Sequence, residues 1–193
     1  MKFQITPKEY NELLGQLRQE EGLFGFVLDK IHYDYSRERH QLIVRMLTRT
    51  HELFRLAIED EIQAQLETIR RSHLKIATTA FAEKVRRHGS TTVYLPDKEH
   101  LVSQHDPDVS FGHDDAHFPG VVIEVASSHK TKDLSSLADD YILDSNANIR
   151  AVVGFDIEYG KTGHTLGMNC KLYNKFLMRS FAMIMASLQI IQD

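Results

Sequence analysis

The chain has 193 residues, 42% of them hydrophobic, a single cysteine and a formal net charge of −4. That length suits one domain with extensions and a substantial core. The lone Cys170 excludes an intramolecular disulfide, argues against a thiolate zinc site and suits an intracellular, reducing setting, while the mild negative charge excludes a global basic field.

At the N-terminus, glutamates stand where a signal peptide would need an apolar stretch. Thr6, Pro7 and Glu9 are spaced as cap, first helical residue and third helical position, which predicts a short helix, interrupted by Gly22 and Gly25. Residues 1–36 are read as an N-terminal extension. From Arg37 to Ser72 there is no Gly or Pro, and Ile43, Leu47, Phe54, Ile58, Ile62, Leu66 and Ile69 recur at helical steps. This predicts one long amphipathic helix, or two in series. Its seam lacks ordered flanking charges and is read as packing within the chain, with a homodimer or partner-protein face as the alternative.

Lys75, Lys84, Arg86, Arg87 and His88 follow, and Gly89 is placed to end a helix. The segment is read as a solvated helix end; the alternative is a local DNA-contacting patch through Lys84, Arg86 and Arg87. After Gly89 come four β-type runs, STTVYL (90–95), HLVSQ (100–104), DPDVSFG (106–112) and GVVIEVA (120–126), punctuated by turn residues. The cluster His113, Asp114, Asp115 and His117 falls between the last two and is read as a polar loop rather than a metal site.

Lys130 to Ser145 reads as a helix with Leu134, Leu137, Ala138, Tyr141 and Ile142 on one side, followed by a strand in NIRAVVGFDIEY (148–159). Strand, helix and strand make a parallel crossover, whereas the short runs before it are close enough for antiparallel hairpins. The expectation is an α/β domain over 37–160, with a mixed sheet and the long first helix on one face. Residues 161–193 are read as a joint, within GKTGHTLG (160–167), and a C-terminal apolar helix, with no further β structure. That helix, FLMRSFAMIMASLQII (176–191), contains Arg179 and falls short of the ~20 apolar residues needed to span a bilayer, so no membrane span is expected.

The chemistry concentrates on Glu124. An acid inside VVIEVA (121–126) needs a reason, because burying a lone carboxylate costs several kcal/mol unless it is paired, protonated or metal-bound. In a pleated strand Val122, Glu124 and Ala126 share one face, and Val121, Ile123 and Val125 the other. If the two last runs pair as a hairpin, Asp108 lies across from Glu124, close enough to bridge a cation. Two hard oxygen donors completed by water and phosphate match the way magnesium is held, and such an ion would activate water.

Taken together, PDVSFGH, PGVVIEVASS, LADDYI and IRAVVGFDIEY resemble the PD-(D/E)XK nuclease superfamily, and more narrowly its Uma-type restriction endonuclease family and related fungal proteins. The resemblance covers roughly Arg37 to Tyr159. It implies a restriction-endonuclease-like core of helix, three strands, helix and strand, with Asp108 and Glu124 as magnesium ligands and DNA as substrate. It also implies a catalytic lysine, at the position of Ala126 or, in the Uma-type variant, of Leu137; this chain has apolar residues at both. Lys130 and Lys132 are the substitutes, as flexible ammonium groups at the start of the following helix. Two readings result: magnesium-dependent hydrolysis of DNA by Asp108, Glu124 and Lys130 or Lys132, or a nuclease-like fold without chemistry that serves as a binding or interaction module, including a degenerate family member.

Overall fold

The computed structural model describes residues 1–45, 48–72, 76–96, 102–127, 131–159 and 166–174. In chain order they form β1 (Lys2–Gln4), α1 (Pro7–Gln19), α2 (Glu21–Lys30), β2 (His32–Ser36), β3 (Gln41–Arg45), α3 (Arg49–Arg71), α4 (Ile76–Lys84) and β4 (Val85–Gly89). Then come β5 (Val93–Pro96), β6 (Val102–His105), β7 (Val109–His113), β8 (Val121–Ser127), α5 (Thr131–Asp144), β9 (Ala151–Tyr159) and β10 (Leu166–Asn174). These described elements make a mixed α/β fold with five helices and two five-stranded sheets.

The first sheet has the order β1-β3-β2-β6-β5 and is antiparallel throughout; the second has the order β10-β9-β8-β7-β4 and is mixed, with β8 and β9 parallel. The expected crossover through α5 and the β7–β8 hairpin are both present. The four β-type runs, however, do not share a sheet. β5 and β6 pair in the first sheet, β7 and β8 in the second, and β4 supplies a further strand from residues read as a helix end.

Helix α3 covers one face of the mixed sheet, burying Ile58 against Val109, Phe111, Ile123, Val125, Val153 and Phe155. On the other face Ala138, Tyr141 and Ile142 of α5 pack on Val122 and Val152, and also on Val93 and Leu95 of the first sheet. From Val122 to Ala126 both faces of β8 are therefore buried, where one wet face was allowed by the sequence. Gly154, beside Glu124 in the parallel register, lets α5 approach: a Cβ there would come within 3.1 Å of Leu134 Cδ1. On the first sheet, alternation sends Tyr33, Tyr35, Leu42 and Val44 toward α1, where Tyr10 stacks on Tyr35 with ring centroids 3.8 Å apart.

Thr6 caps α1 in the expected capping box with Glu9. Three other expectations are corrected. The helix expected from Arg37 begins only at Arg49; Gln41–Arg45 is a strand paired with β2, because the alternating, β-branched QLIVR fits a pleated surface, and its turn is closed by His40 at φ 49 rather than by a glycine. Gly22 and Gly25 lie inside α2, and the helix break falls at Glu20 instead. After Tyr159 there is further β structure, since β10 pairs along the whole of β9 and forms an edge of the mixed sheet. The expected C-terminal helix and residues 160–165 of the joint lie outside the described residues. Strands β1 and β2 of the expected N-terminal extension belong to the same sheet as β5 and β6. Among the described residues no helix is long and apolar enough to cross a membrane.

Candidate functional site

Asp108 stands immediately before β7, and continuing the antiparallel register by one residue from Val109 and Ile123 places it opposite Glu124. Asp108 Oδ2 accepts a 2.7 Å hydrogen bond from Val125 N, which ties the residue to the neighbouring strand. The two acids converge as expected. What lies between them is Arg45, the last residue of β3.

Alternation along β3 turns Gln41, Ile43 and Arg45 away from α1 and toward the mixed sheet. Arg45 Nη1 donates to Glu124 Oε2 at 2.7 Å and to Asp108 Oδ1 at 3.4 Å, while Nη2 donates to Asp34 Oδ1 at 3.2 Å and to the Asp106 carbonyl. The relative exposures are 8% for Arg45, 4% for Asp34, 0% for Asp108 and 2% for Glu124, so this is a dry cluster of one guanidinium and three carboxylates. Glu124 Oε1 accepts from the Tyr141 hydroxyl at 2.9 Å. Asp34 also accepts from Asp106 N at 3.1 Å, which joins the two antiparallel hairpins of the first sheet to the site. His105, equally buried, sits 3.7 Å from Asp34 and 3.8 Å from Asp140.

The acids respond differently to this environment. Burial pushes the Glu124 carboxyl well above the usual range against the opposing pull of Arg45, and the nearby Asp108 and Asp34 add to the rise. Burial opposes the charge on Asp108 as well, but Arg45, His51 and the Val125 N–H reverse it and hold that carboxyl below its ordinary value. Asp34 is lowered too, burial being overcome by Arg45 and His105. Arg45 is raised, since its carboxylates more than offset the cost of burying it.

His51 enters from the first turn of α3, which Thr48 caps by accepting from His51 N at 3.2 Å. Its Nε2 lies 3.2 Å from Asp108 Oδ2 and its Nδ1 3.2 Å from Glu52 Oε1. Burial disfavours the imidazolium, but Asp108 and Glu52 overcome this and raise its pKa. A raised histidine contributes stability that is fully present below the unfolded value, about 6.5, and fades as pH rises through the folded one. Urea midpoints of His51→Leu and the parent, compared from acid to neutral pH, are therefore expected to differ most on the acid side and converge as pH rises; a constant difference would contradict this coupling.

Does this set of residues fit magnesium? All four oxygens of Asp108 and Glu124 already accept hydrogen bonds or face a cationic N–H, and the guanidinium occupies the space between them. Magnesium demands near-octahedral oxygen at about 2.1 Å, which this arrangement could meet only by expelling a buried arginine. The residues do not fit the ion.

Of the expected catalytic residues, Asp108 and Glu124 are brought together, whereas Lys130 and the side chain of Lys132, in the first turn of α5, lie outside the described residues. Ala126 and Leu137 both line a cavity beside Glu124. The expected basic patch is split between the end of α4 and the edge strand β4. There Lys84 faces Asp115 at 2.6 Å, Arg86 faces Asp114 at 2.9 Å, and Arg87 faces Glu59 and Asp60 at 3.5 Å each. The acids of the polar loop thus serve as partners for these cations. Sequence reasoning missed Arg45, Asp34 and His51. The available signal was an arginine closing the alternating run QLIVR, which helix assignment concealed. No protein-family model matches the chain, and no curated protein matches it.

Proposed function

We propose that the chain is a nuclease-like α/β module that binds a ligand and does not hydrolyse phosphodiesters. Its likeness to the PD-(D/E)XK superfamily is supported by the succession α3, β4, β7, β8, α5, β9 around one sheet and by Asp108 opposite Glu124. The single observation that carries the loss of chemistry is Arg45, whose Nη1 stands 2.7 Å from one acid and 3.4 Å from the other. A buried guanidinium supplies there the positive charge that a hydrolytic site takes from its metal ion. The apolar Ala126 and Leu137, at the two positions where the resemblance implies lysine, agree with it. The cations Lys84, Arg86 and Arg87 are each met by a carboxylate, so this reading assigns them no DNA contact.

The test is direct. Supercoiled plasmid and single-stranded oligonucleotide incubated with the pure chain and magnesium are expected to stay intact, and calorimetric titration with magnesium is expected to show no saturable heat. Cleavage that requires magnesium and vanishes in Asp108→Ala, or saturable magnesium binding lost in Asp108→Ala and in Glu124→Ala, would establish the hydrolytic reading instead.

A further inference from the structure

Continuing the antiparallel pairing of Tyr35 with Gln104 by one residue sets Asp34 of β2 across from His105 of β6, both on the inward face of the first sheet. Asp140 of α5 approaches the same ring at its other nitrogen. His105 Nδ1 stands 3.7 Å from Asp34 Oδ1 and Nε2 3.8 Å from Asp140 Oδ2, each a little beyond hydrogen-bond length. Neither nitrogen makes a hydrogen bond among the described residues, and the ring is 1% exposed, so bulk solvent does not reach it.

A neutral imidazole has one N–H and one bare nitrogen, so between two carboxylates it satisfies one and turns a lone pair on the other. The imidazolium has an N–H for each. Both acids are held in place from elsewhere: Asp34 by Arg45 and the Asp106 N–H, Asp140 by Arg39, which reaches across from the turn between β2 and β3. Tyr141 of α5 packs on the ring with centroids 5.3 Å apart, and its hydroxyl leads on to Glu124 of β8. Next in the chain, Asp106 accepts from Tyr33 N and the Thr92 hydroxyl. Around the ring, then, the acids Asp34, Asp106, Glu124 and Asp140 outnumber the guanidiniums of Arg39 and Arg45, both of which are engaged by carboxylates. Burial raises the Asp140 carboxyl, and His105 and Arg39 are what oppose that rise.

We propose that His105 is a proton-operated latch between the first sheet and α5. Protonated, the ring donates to Asp34 and Asp140 at once and draws β2, β6 and α5 together; neutral, it holds one acid and releases the other. His105, Asp34 and Arg39 also line a cavity of about 310 Å³ between the first sheet, β8 and α5, so the latch sets how firmly the walls of that cavity are held. It operates whether or not the chain hydrolyses phosphodiesters.

Long-range ¹H–¹⁵N NMR of the full chain reads the ring directly. Between about pH 8 and about pH 5 His105 is expected to pass from one N–H to two, both protected from exchange with solvent on the acid side. Amide hydrogen exchange along α5 and β6 reads the latch. Exchange in His105→Gln is expected to be at least about tenfold faster than in the parent at about pH 5, with the ratio falling toward one at about pH 8. Comparing the two chains at one pH cancels the intrinsic exchange rate and the titration of His51, which both retain. Asp140→Asn, which leaves His105 a single carboxylate, is expected to lose the acid-side protection in the same way and serves should His105→Gln fail to fold. A ring that keeps a single N–H down to about pH 5, a second N–H that exchanges freely, or a ratio that does not change with pH would each overturn the proposal.

Discussion

Arg45→Met is expected to cost about 3–5 kcal/mol of folding stability, measured by urea unfolding at neutral pH. The size follows from what remains: three carboxylates facing one another in a dry interior, with the shared guanidinium removed. Methionine replaces much of the aliphatic stem, so the loss reports charge compensation rather than volume. Neutralising the partners should then restore stability. The triple variant Arg45→Met, Asp108→Asn, Glu124→Gln is expected to recover about 1–3 kcal/mol relative to Arg45→Met, as residues of one network couple on that scale. A cost for Arg45→Met below about 1 kcal/mol, the range of exposed ion pairs, would show that the guanidinium does not hold the acids.

Asp108→Asn and Glu124→Gln are expected to have opposite consequences, although the two acids face each other. The folded pKa of Asp108 is depressed, so its contribution is fully present above the unfolded value, about 3.9, and is lost as pH falls through the folded value. That of Glu124 is raised. Its contribution is present below the unfolded value, about 4.3, and is lost as pH rises through the folded value, so near neutrality holding it charged works against the fold. Glu124→Gln should therefore be as stable as the parent at pH 7 or more so, and should remove the decline on the rising side of the profile. An amide at 108 turns an N–H toward a donor, either Arg45 on the Oδ1 side or the Val125 N–H and His51 on the Oδ2 side, and is expected to cost about 2–3 kcal/mol at pH 7. Urea midpoints from about pH 3 to pH 8 decide the matter. Equal losses in both variants would mean that the acids act as an equivalent pair, as metal ligands do, and would contradict the asymmetric arginine cluster.

Local rules read much of the fold. The capping box at Thr6 and Glu9, the antiparallel hairpin of β7 and β8, and the crossover through α5 all depend on residues a few positions apart, whose hydrogen bonding or side-chain period is visible in a short window. The failures have equally local causes. His40 closes the β2–β3 turn at φ 49, a conformation usually marked by glycine, so no breaker warned against running the helix back through Gln41–Arg45. The spacing from Ile43 to Leu47 matched a helical step while the five residues of β3 also matched a strand, and short apolar runs leave that ambiguity open. Gly22 and Gly25 read as breakers, yet α2 keeps both, since glycine weakens a helix by about 1 kcal/mol and does not forbid it.

By itself the sequence determined that Glu124 would be buried on a strand, which residues would share its face, and that Asp108 would stand across from it; a period of two and a short hairpin suffice for all three. It also showed that a buried Glu124 would have to be paired, protonated or metal-bound, because a lone carboxylate is costly to bury. Which charge would answer that need was decided only in three dimensions. Arg45 is 63 residues from Asp108 and 79 from Glu124, and it reaches them from β3, a strand of the other sheet, whose alternation turns the guanidinium to the two acids. Burial demands a counter-ion, but its identity depends on which distant strand arrives, and no local spacing encodes that.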